Sequence, residues 1–340
     1  MAQQRKIWGQ SPDGDIELIQ IETRDIKLSL TNQGAALVDL QTRDLNAKWG
    51  SLVIHEDSAE GYRKNPSHLG ATVGRFGNRI KRGRFELDGE SFSLAVNNGP
   101  NHLHGGKVGF TNRLWSIVDI SENSVSFEYI SPDGEEGYPG TLHVRSTYRL
   151  ENHELFMEYD ATTDKPTVLN LTNHAYWNLT GDPKNKITTH ELTLNADRYL
   201  ENDADVLPTG RVLDVAGTVY DFRKRKQLGE SLSETDHDGY DNCLVLNQQK
   251  PGELNWAAAV REPSTGRGMI IDTTQPAIQL YTANHFDGSD QSAGAQQYTA
   301  FCLECQNYPD APNQPTFPSA VLRPGEVYEH TTKHTFVCES

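Results

Sequence analysis

Short runs in which apolar and polar side chains alternate recur along the whole chain, and this period of two constrains the fold more than any other feature. Segments 16–21, 26–30, 114–120, 125–130, 142–150, 155–161, 168–171, 192–194, 243–246, 257–260, 269–271, 278–281 and 327–337 read this way. Alternation puts successive side chains on opposite faces of a strand, so each run buries one face and wets the other. Segments 85–87 and 92–94 flank Asp88, Gly89 and Glu90 as a hairpin would. Ser-Pro-Asp-Gly occurs at Ser11–Gly14 and at Ser131–Gly134; Pro presets the turn and Gly supplies a positive φ. Almost nothing sustains a helical period. Many strands without alternating helices imply packed antiparallel sheets rather than a parallel α/β fold. No linker or low-complexity block divides the 340 residues, so the expectation is one all-β domain over 1–340, a large antiparallel β-sandwich. The small, polar stretch 287–297 reads as a mobile surface loop.

Asp and Glu number 47 against 31 Lys and Arg, a formal net charge of -16. Such a balance repels phosphate backbones and anionic headgroups, which argues against nucleic acid and membrane surfaces as partners. No run approaches the ~20 apolar residues needed to span a bilayer. The first residues lead into a polar turn rather than an apolar segment, and the chain reads as cytoplasmic. Cys243, Cys302, Cys305 and Cys338 are too few for a disulfide framework. If 302–305 is a strand, Cys302 and Glu304 share a face and Cys305 points the other way, so the two thiols cannot share a metal.

Several polar groups are planted in apolar surroundings, where an uncharged group without a partner costs roughly 2 to 7 kcal/mol. Glu304 follows Ala300, Phe301, Cys302 and Leu303, a stretch too apolar for a solvated face; its carboxylate is paired or is a base of raised pKa. His174 emerges from an apolar strand beside Tyr176 and Trp177, as a general acid or a satisfied core histidine. His102 and His104 lie between Gly and Pro in a loop; with no carboxylate following at a ligand spacing, hydrogen bonding or proton handling is favoured over metal. Asn78 and Arg79, among glycines, suit a polyol better than a phosphate loop, and solvated arginines are the alternative. Asp241 at a strand edge and Gln279 among apolar residues need partners, from the backbone or from a ligand.

Six segments in series resemble the aldose 1-epimerase family: 74–80 (GRFGNRI), 101–106 (NHLHGG), 172–179 (TNHAYWNL), 239–241 (GYD), 279–281 (QLY) and 303–311 (LECQNYPDA). The resemblance covers essentially the whole chain. It implies a β-supersandwich with a sugar pocket on one sheet face, no cofactor, no metal, and interconversion of the α- and β-anomers of aldohexoses such as galactose and glucose. By position it makes Glu304 the base at the anomeric hydroxyl and His174 the acid at the ring oxygen, with His104 assisting there. Asn78, Arg79, Asp241 and Gln279 would hold sugar hydroxyls, and Tyr176 would line the site. Ala175 and Trp177 stand where Ser and Phe are frequent in the family, which leaves the pocket floor open.

The expected partner is a small-molecule sugar, and the chain would work as a monomer or homodimer. Two other readings compete. A hexose-6-phosphate epimerase needs clustered cations, for which Arg75, Lys81 and Arg82 are the candidates. A non-catalytic carbohydrate-binding protein on the same fold should lack Glu304 or His174, and both are present.

Overall fold

The computed structural model describes residues 3–339. Its largest sheet has nine strands, in the order Ser116–Ile120, Ser124–Ser131, Leu142–Glu151, Glu154–Thr163, Tyr328–Cys338, Arg267–Thr273, Asn255–Arg261, Glu191–Leu194 and Lys226–Gln227. A five-stranded sheet runs Pro208–Asp214, Arg198–Asn202, Asp241–Val245, Ala277–Tyr281 and Cys302–Gln306. A second sheet of five takes Gln3–Ser11, Gly14–Glu22, Lys27–Thr31, Ala36–Arg43 and Trp49–Ser51 in chain order. Strand pairing in all three is antiparallel, which makes the protein an all-β supersandwich.

The alternation expected from the sequence is what assembles the layers. In Leu142–Glu151, Leu142, Val144, Ser146, Tyr148 and Leu150 point inward while His143, Arg145 and Arg149 face out. One apolar cluster draws Ile19 and Leu28 from the five-stranded sheet that begins with Gln3–Ser11, Phe127, Tyr148, Met157 and Met269 from the largest, and Leu244, Ile278 and Leu303 from the five-stranded sheet that ends with Cys302–Gln306. The outer face of the large sheet carries ion pairs such as Arg145 with Glu128 and Lys333 with Asp272. Exposed pairs of this kind contribute about 0–1 kcal/mol, so packing rather than charge holds the sheets together.

Both Ser-Pro-Asp-Gly segments turn the chain. The first joins Gln3–Ser11 to Gly14–Glu22, and in the second Gly134 takes φ 85° before a short 3-10 turn. Pattern reading does not find Gln3–Ser11, Ala36–Arg43, Arg198–Asn202 or Pro208–Asp214. In Ala36–Arg43 the core claims consecutive residues Ala36, Leu37 and Val38, which erases the period of two. Nor does it find the helix Ala59–Lys64, whose six residues are too few to show a period. The stretch 287–297 is a surface loop, but a braced one: Asp287 bridges Gln296, and the Ser67 hydroxyl donates to the Gln291 carbonyl at 2.6 Å.

Two features of this architecture make a site. Asp241–Val245, Ala277–Tyr281 and Cys302–Gln306 are neighbours, with Gln279 opposite both Cys243 and Glu304. The His174 segment is then laced to them, because Trp177 and Phe301 exchange backbone hydrogen bonds at 2.7 and 3.0 Å.

Candidate active site

Cys302–Gln306 is the strand that the alternation argument required. Cys302 packs in a cluster with Tyr176 and Phe286, while Leu303 and Cys305 belong to the main core on the opposite face. Glu304 therefore leaves on the Cys302 face, away from the core, and lines a cavity of about 320 Å³. That is within the size range of small-molecule pockets. His104, His174, Asn78, Arg79, Asp241 and Tyr176 line the same cavity. Gln279 is not on its wall but reaches it through Asp241, to which its amide donates at 2.6 Å.

The acid and base candidates meet. His174 Nε2 lies 3.7 Å from Glu304 Oε1, with both side chains almost wholly buried. The imidazole is clamped: Tyr176 stacks on it at 4.8 Å between centroids, His104 meets it edge-on at 5.2 Å, and Cys302 Sγ sits 3.5 Å from its Nδ1. Its backbone is held from both sides, since Gly70 N–H donates to His174 O and His174 N–H to Ala71 O.

Burial sets the protonation of this pair. Loss of water disfavours an ionised carboxylate, and the nearby Asp241 charge adds to the effect against a smaller opposing pull from Arg79; Glu304 is pushed up to about 8. The same desolvation, helped by His68, drops His174 to about 3. Glu304 Oε2 and Gln279 Oε1 are buried and accept no hydrogen bond from the described residues, and of the two Glu304 is the one on the cavity wall, where a polyol could donate to it.

His104 is reached by a tight turn. His104 and Asn78 take φ of 50° and 64°, and an added Cβ on Gly105 would lie 1.7 Å from Gly74 O. Backbone held in this sparsely populated region is common at functional sites. The two residues bond reciprocally: His104 N–H donates to Asn78 O, and Asn78 N–H donates to His104 Nδ1 at 3.2 Å. With Nδ1 occupied as an acceptor, the neutral ring carries its proton on Nε2. His102 is a structural residue, its Nδ1 on Ala95 O at 2.6 Å and its Nε2 on the Tyr138 hydroxyl at 2.5 Å.

The sequence argument against metal relied on the lack of a nearby carboxylate. The fold supplies one from far along the chain: ligand atoms of His104, His174 and Glu304 lie within 4.8 Å of one another. The donor chemistry still fits poorly, because the His104 tautomer set by Asn78 presents an N–H, which donates and cannot ligate.

Arg79 is held by Asn98, which accepts from its Nε at 3.1 Å, and its Nη1 is 3.9 Å from Asp241 Oδ2. Arg75, one of the cations a phosphate would have needed, is spent elsewhere. It is buried and donates to the carbonyls of Ser131, Pro132 and Pro139. Lys81 and Arg82 do not line the cavity, which leaves Arg79 as its one cation among the described residues. Ala175 and Trp177 turn into the main core, so the floor does not depend on them.

Pattern reading passed over several lining residues: His68, Asn98, Tyr281, His285 and Phe286. His68 stands in a polar turn with no apolar neighbourhood to mark it. Tyr281 ends an expected strand, where an inward tyrosine reads as core.

The aldose 1-epimerase family model matches residues 17–335. The chain is 41% identical to galactose mutarotase from Bos taurus over 98% of both chains. It is 38% identical to aldose 1-epimerase from Escherichia coli (strain K12) over 92% of both. The crystal structure of a GalM/aldose epimerase homologue from C. elegans superposes with a TM-score of 0.89 at 33% identity, covering 96% of this chain and 100% of that one. The chain belongs to the aldose 1-epimerase family.

Proposed function

We propose that the protein is an isomerase that interconverts the α- and β-anomers of free aldohexoses, galactose and glucose among them, by opening and reclosing the pyranose ring. The observation that carries this reading is the 3.7 Å approach of Glu304 Oε1 to His174 Nε2 on the wall of a cavity also lined by Asn78, Arg79 and Asp241. An acid and a base that close can serve adjacent oxygens of one sugar.

Opening a cyclic hemiacetal takes a proton from the C1 hydroxyl and gives one to the ring oxygen as the bond between C1 and that oxygen breaks. In the charge-separated tautomer, reached when the pair's one proton moves from Glu304 to His174, Glu304 takes the first and His174 gives the second. The open aldehyde then turns about C1–C2, and closure on the other carbonyl face runs the two transfers backwards. One proton shared by the pair suffices, and the net charge never changes. After opening, the proton is on Glu304 and His174 is neutral, the distribution that burial favours. Each positioned transfer is typically worth roughly 10² to 10⁴ in rate. His104 Nε2–H donates to the ring oxygen beside His174. Arg79, Asn78 and Asp241 hold ring hydroxyls, and Gln279 orients Asp241. Tyr176 gives the sugar an apolar face.

We take the working unit to be a monomer or a homodimer. The apolar cluster shared by all three large sheets supports a single domain over 1–340. No helix of the described residues is long and apolar enough to cross a membrane, and the acidic, cysteine-poor composition supports the cytoplasm as its place.

Polarimetry or NMR of freshly dissolved α-galactose and α-glucose tests the reading: both should equilibrate far faster with the protein than without. Galactose 6-phosphate should gain little, because Asp241 and Asp287 outweigh Arg79 around the cavity. Equal or faster turnover of the phosphate would favour the hexose-6-phosphate reading instead.

A further inference from the structure

His68 is a third imidazole on the cavity wall, and the acid/base scheme does not use it. Its ring centroid is 4.8 Å from that of His104 and 6.0 Å from that of His174, nearly parallel to the latter. The turn that carries it is built with care. Asn65 brackets Leu69 through both ends of its amide, at 2.7 and 3.1 Å, and His68 itself takes φ 59°. Gly70 and Ala71, just beyond, make the backbone bonds that hold His174, so His68 is in fixed register with the acid. An added Cβ on Gly70 would lie 1.8 Å from Leu37 O, so the turn packs directly against the backbone of Ala36–Arg43.

One ring nitrogen is spent: Nδ1 pairs with the Thr111 hydroxyl at 2.8 Å. Nε2 remains for the cavity. Burial holds the imidazole down at about 4, so near neutrality it is an uncharged hydrogen-bonding group and not a cation.

Its placement says which part of a sugar it meets. On the functional reading above, on which this inference rests, His174 and His104 address the ring oxygen and Glu304 the C1 hydroxyl. The ring oxygen has two neighbours, C1 and C5. C1 belongs to the Glu304 side, and His68, packed against both histidines but outside the cluster they form with Glu304, is assigned to the C5 side. In an aldohexose the substituent there is the exocyclic hydroxymethyl group, which an aldopentose lacks.

We propose that His68 is a specificity-determining residue that hydrogen-bonds the 6-hydroxyl and so favours hexopyranoses over pentopyranoses. A neutral hydrogen bond contributes about 0.5–1.5 kcal/mol, or roughly a two- to twelvefold preference.

The test uses glucose and xylose, which differ only in that hydroxymethyl group, with wild type, His68→Asn and His68→Gln. Asn reproduces the position of Nδ1 and keeps Thr111 but removes Nε2; Gln reaches the position of Nε2. The expected result for His68→Asn is a loss of about fivefold in kcat/KM on glucose, carried by KM, with xylose unchanged, and recovery of most of the loss in His68→Gln. Xylose turnover also shows that the variant is folded. Equal losses on both sugars, or an unchanged glucose to xylose ratio, would overturn the proposal. Wild-type protein that speeds neither sugar would instead remove the functional reading, a separate outcome that needs no variant.

Discussion

Glu304 and His174 face each other at 3.7 Å in a pocket that disfavours charge on both, so the pair holds a single proton through the pH range where most enzymes work. Most of the expected behaviour follows from where that proton is.

Removing either partner removes one transfer. Glu304→Gln and His174→Asn should each lower kcat by about 10² to 10⁴ while galactose binding, measured by calorimetry, persists. The double variant should lose little more than the worse single one, because the two groups act as a unit. Full additivity on a logarithmic scale would mean that they act in separate steps.

The pH profile of kcat/KM should be a plateau with its basic limb near 8 and its acidic limb well below neutrality. Above the raised pKa of Glu304 the pair has lost its proton and His174 has none to give. Below the depressed pKa of His174 a second proton blocks the base. Since macroscopic constants belong to the pair rather than to either residue, the residual rate of Glu304→Gln should show a single limb, set by His174, in place of the two. A rate that climbs through pH 8 would contradict the one-proton scheme.

The same burial has a cost in stability. A carboxyl whose folded pKa is raised stabilises the fold fully below its unfolded value and loses that contribution as pH rises through the folded one. The window here runs from the ordinary value of 4.5 to about 8. Glu304→Gln should therefore match wild type near the acid end in thermal unfolding and exceed it increasingly towards pH 8, by on the order of 2 to 4 kcal/mol. A variant less stable than wild type at every pH would show that the carboxylate is paired in the fold.

Gly105→Ala tests the turn that presents His104. The residue has φ +83°, and the new Cβ would lie 1.7 Å from Gly74 O. The turn must open, which displaces His104. Stability should fall by about 1–3 kcal/mol and turnover should fall with it. Wild-type turnover from a destabilised protein would argue that His104 is not at the ring oxygen.

The layers of the fold were legible because a sandwich strand wets one face, and Leu142–Glu151 shows the alternation plainly. Where both faces are covered, as in Ala36–Arg43, the period disappears and so did the strand. Glu304 and His174 stood out because polar groups in apolar runs are expensive. His68 carries no such signal: it lies in a polar turn, and only folding brings it against His104. Arg75 misled for the opposite reason, since a guanidinium beside glycines looks like a ligand, yet three backbone carbonyls claim it. Local sequence shows that a group is unusual, and the three-dimensional neighbours decide what occupies it.

A crystal structure of the Glu304→Gln protein with bound galactose tests the central claim most directly. The account predicts one pyranose with O1 within hydrogen-bond reach of residue 304 and the ring oxygen within reach of His174 Nε2. A sugar that touches one of the two side chains and leaves the other facing solvent would contradict it.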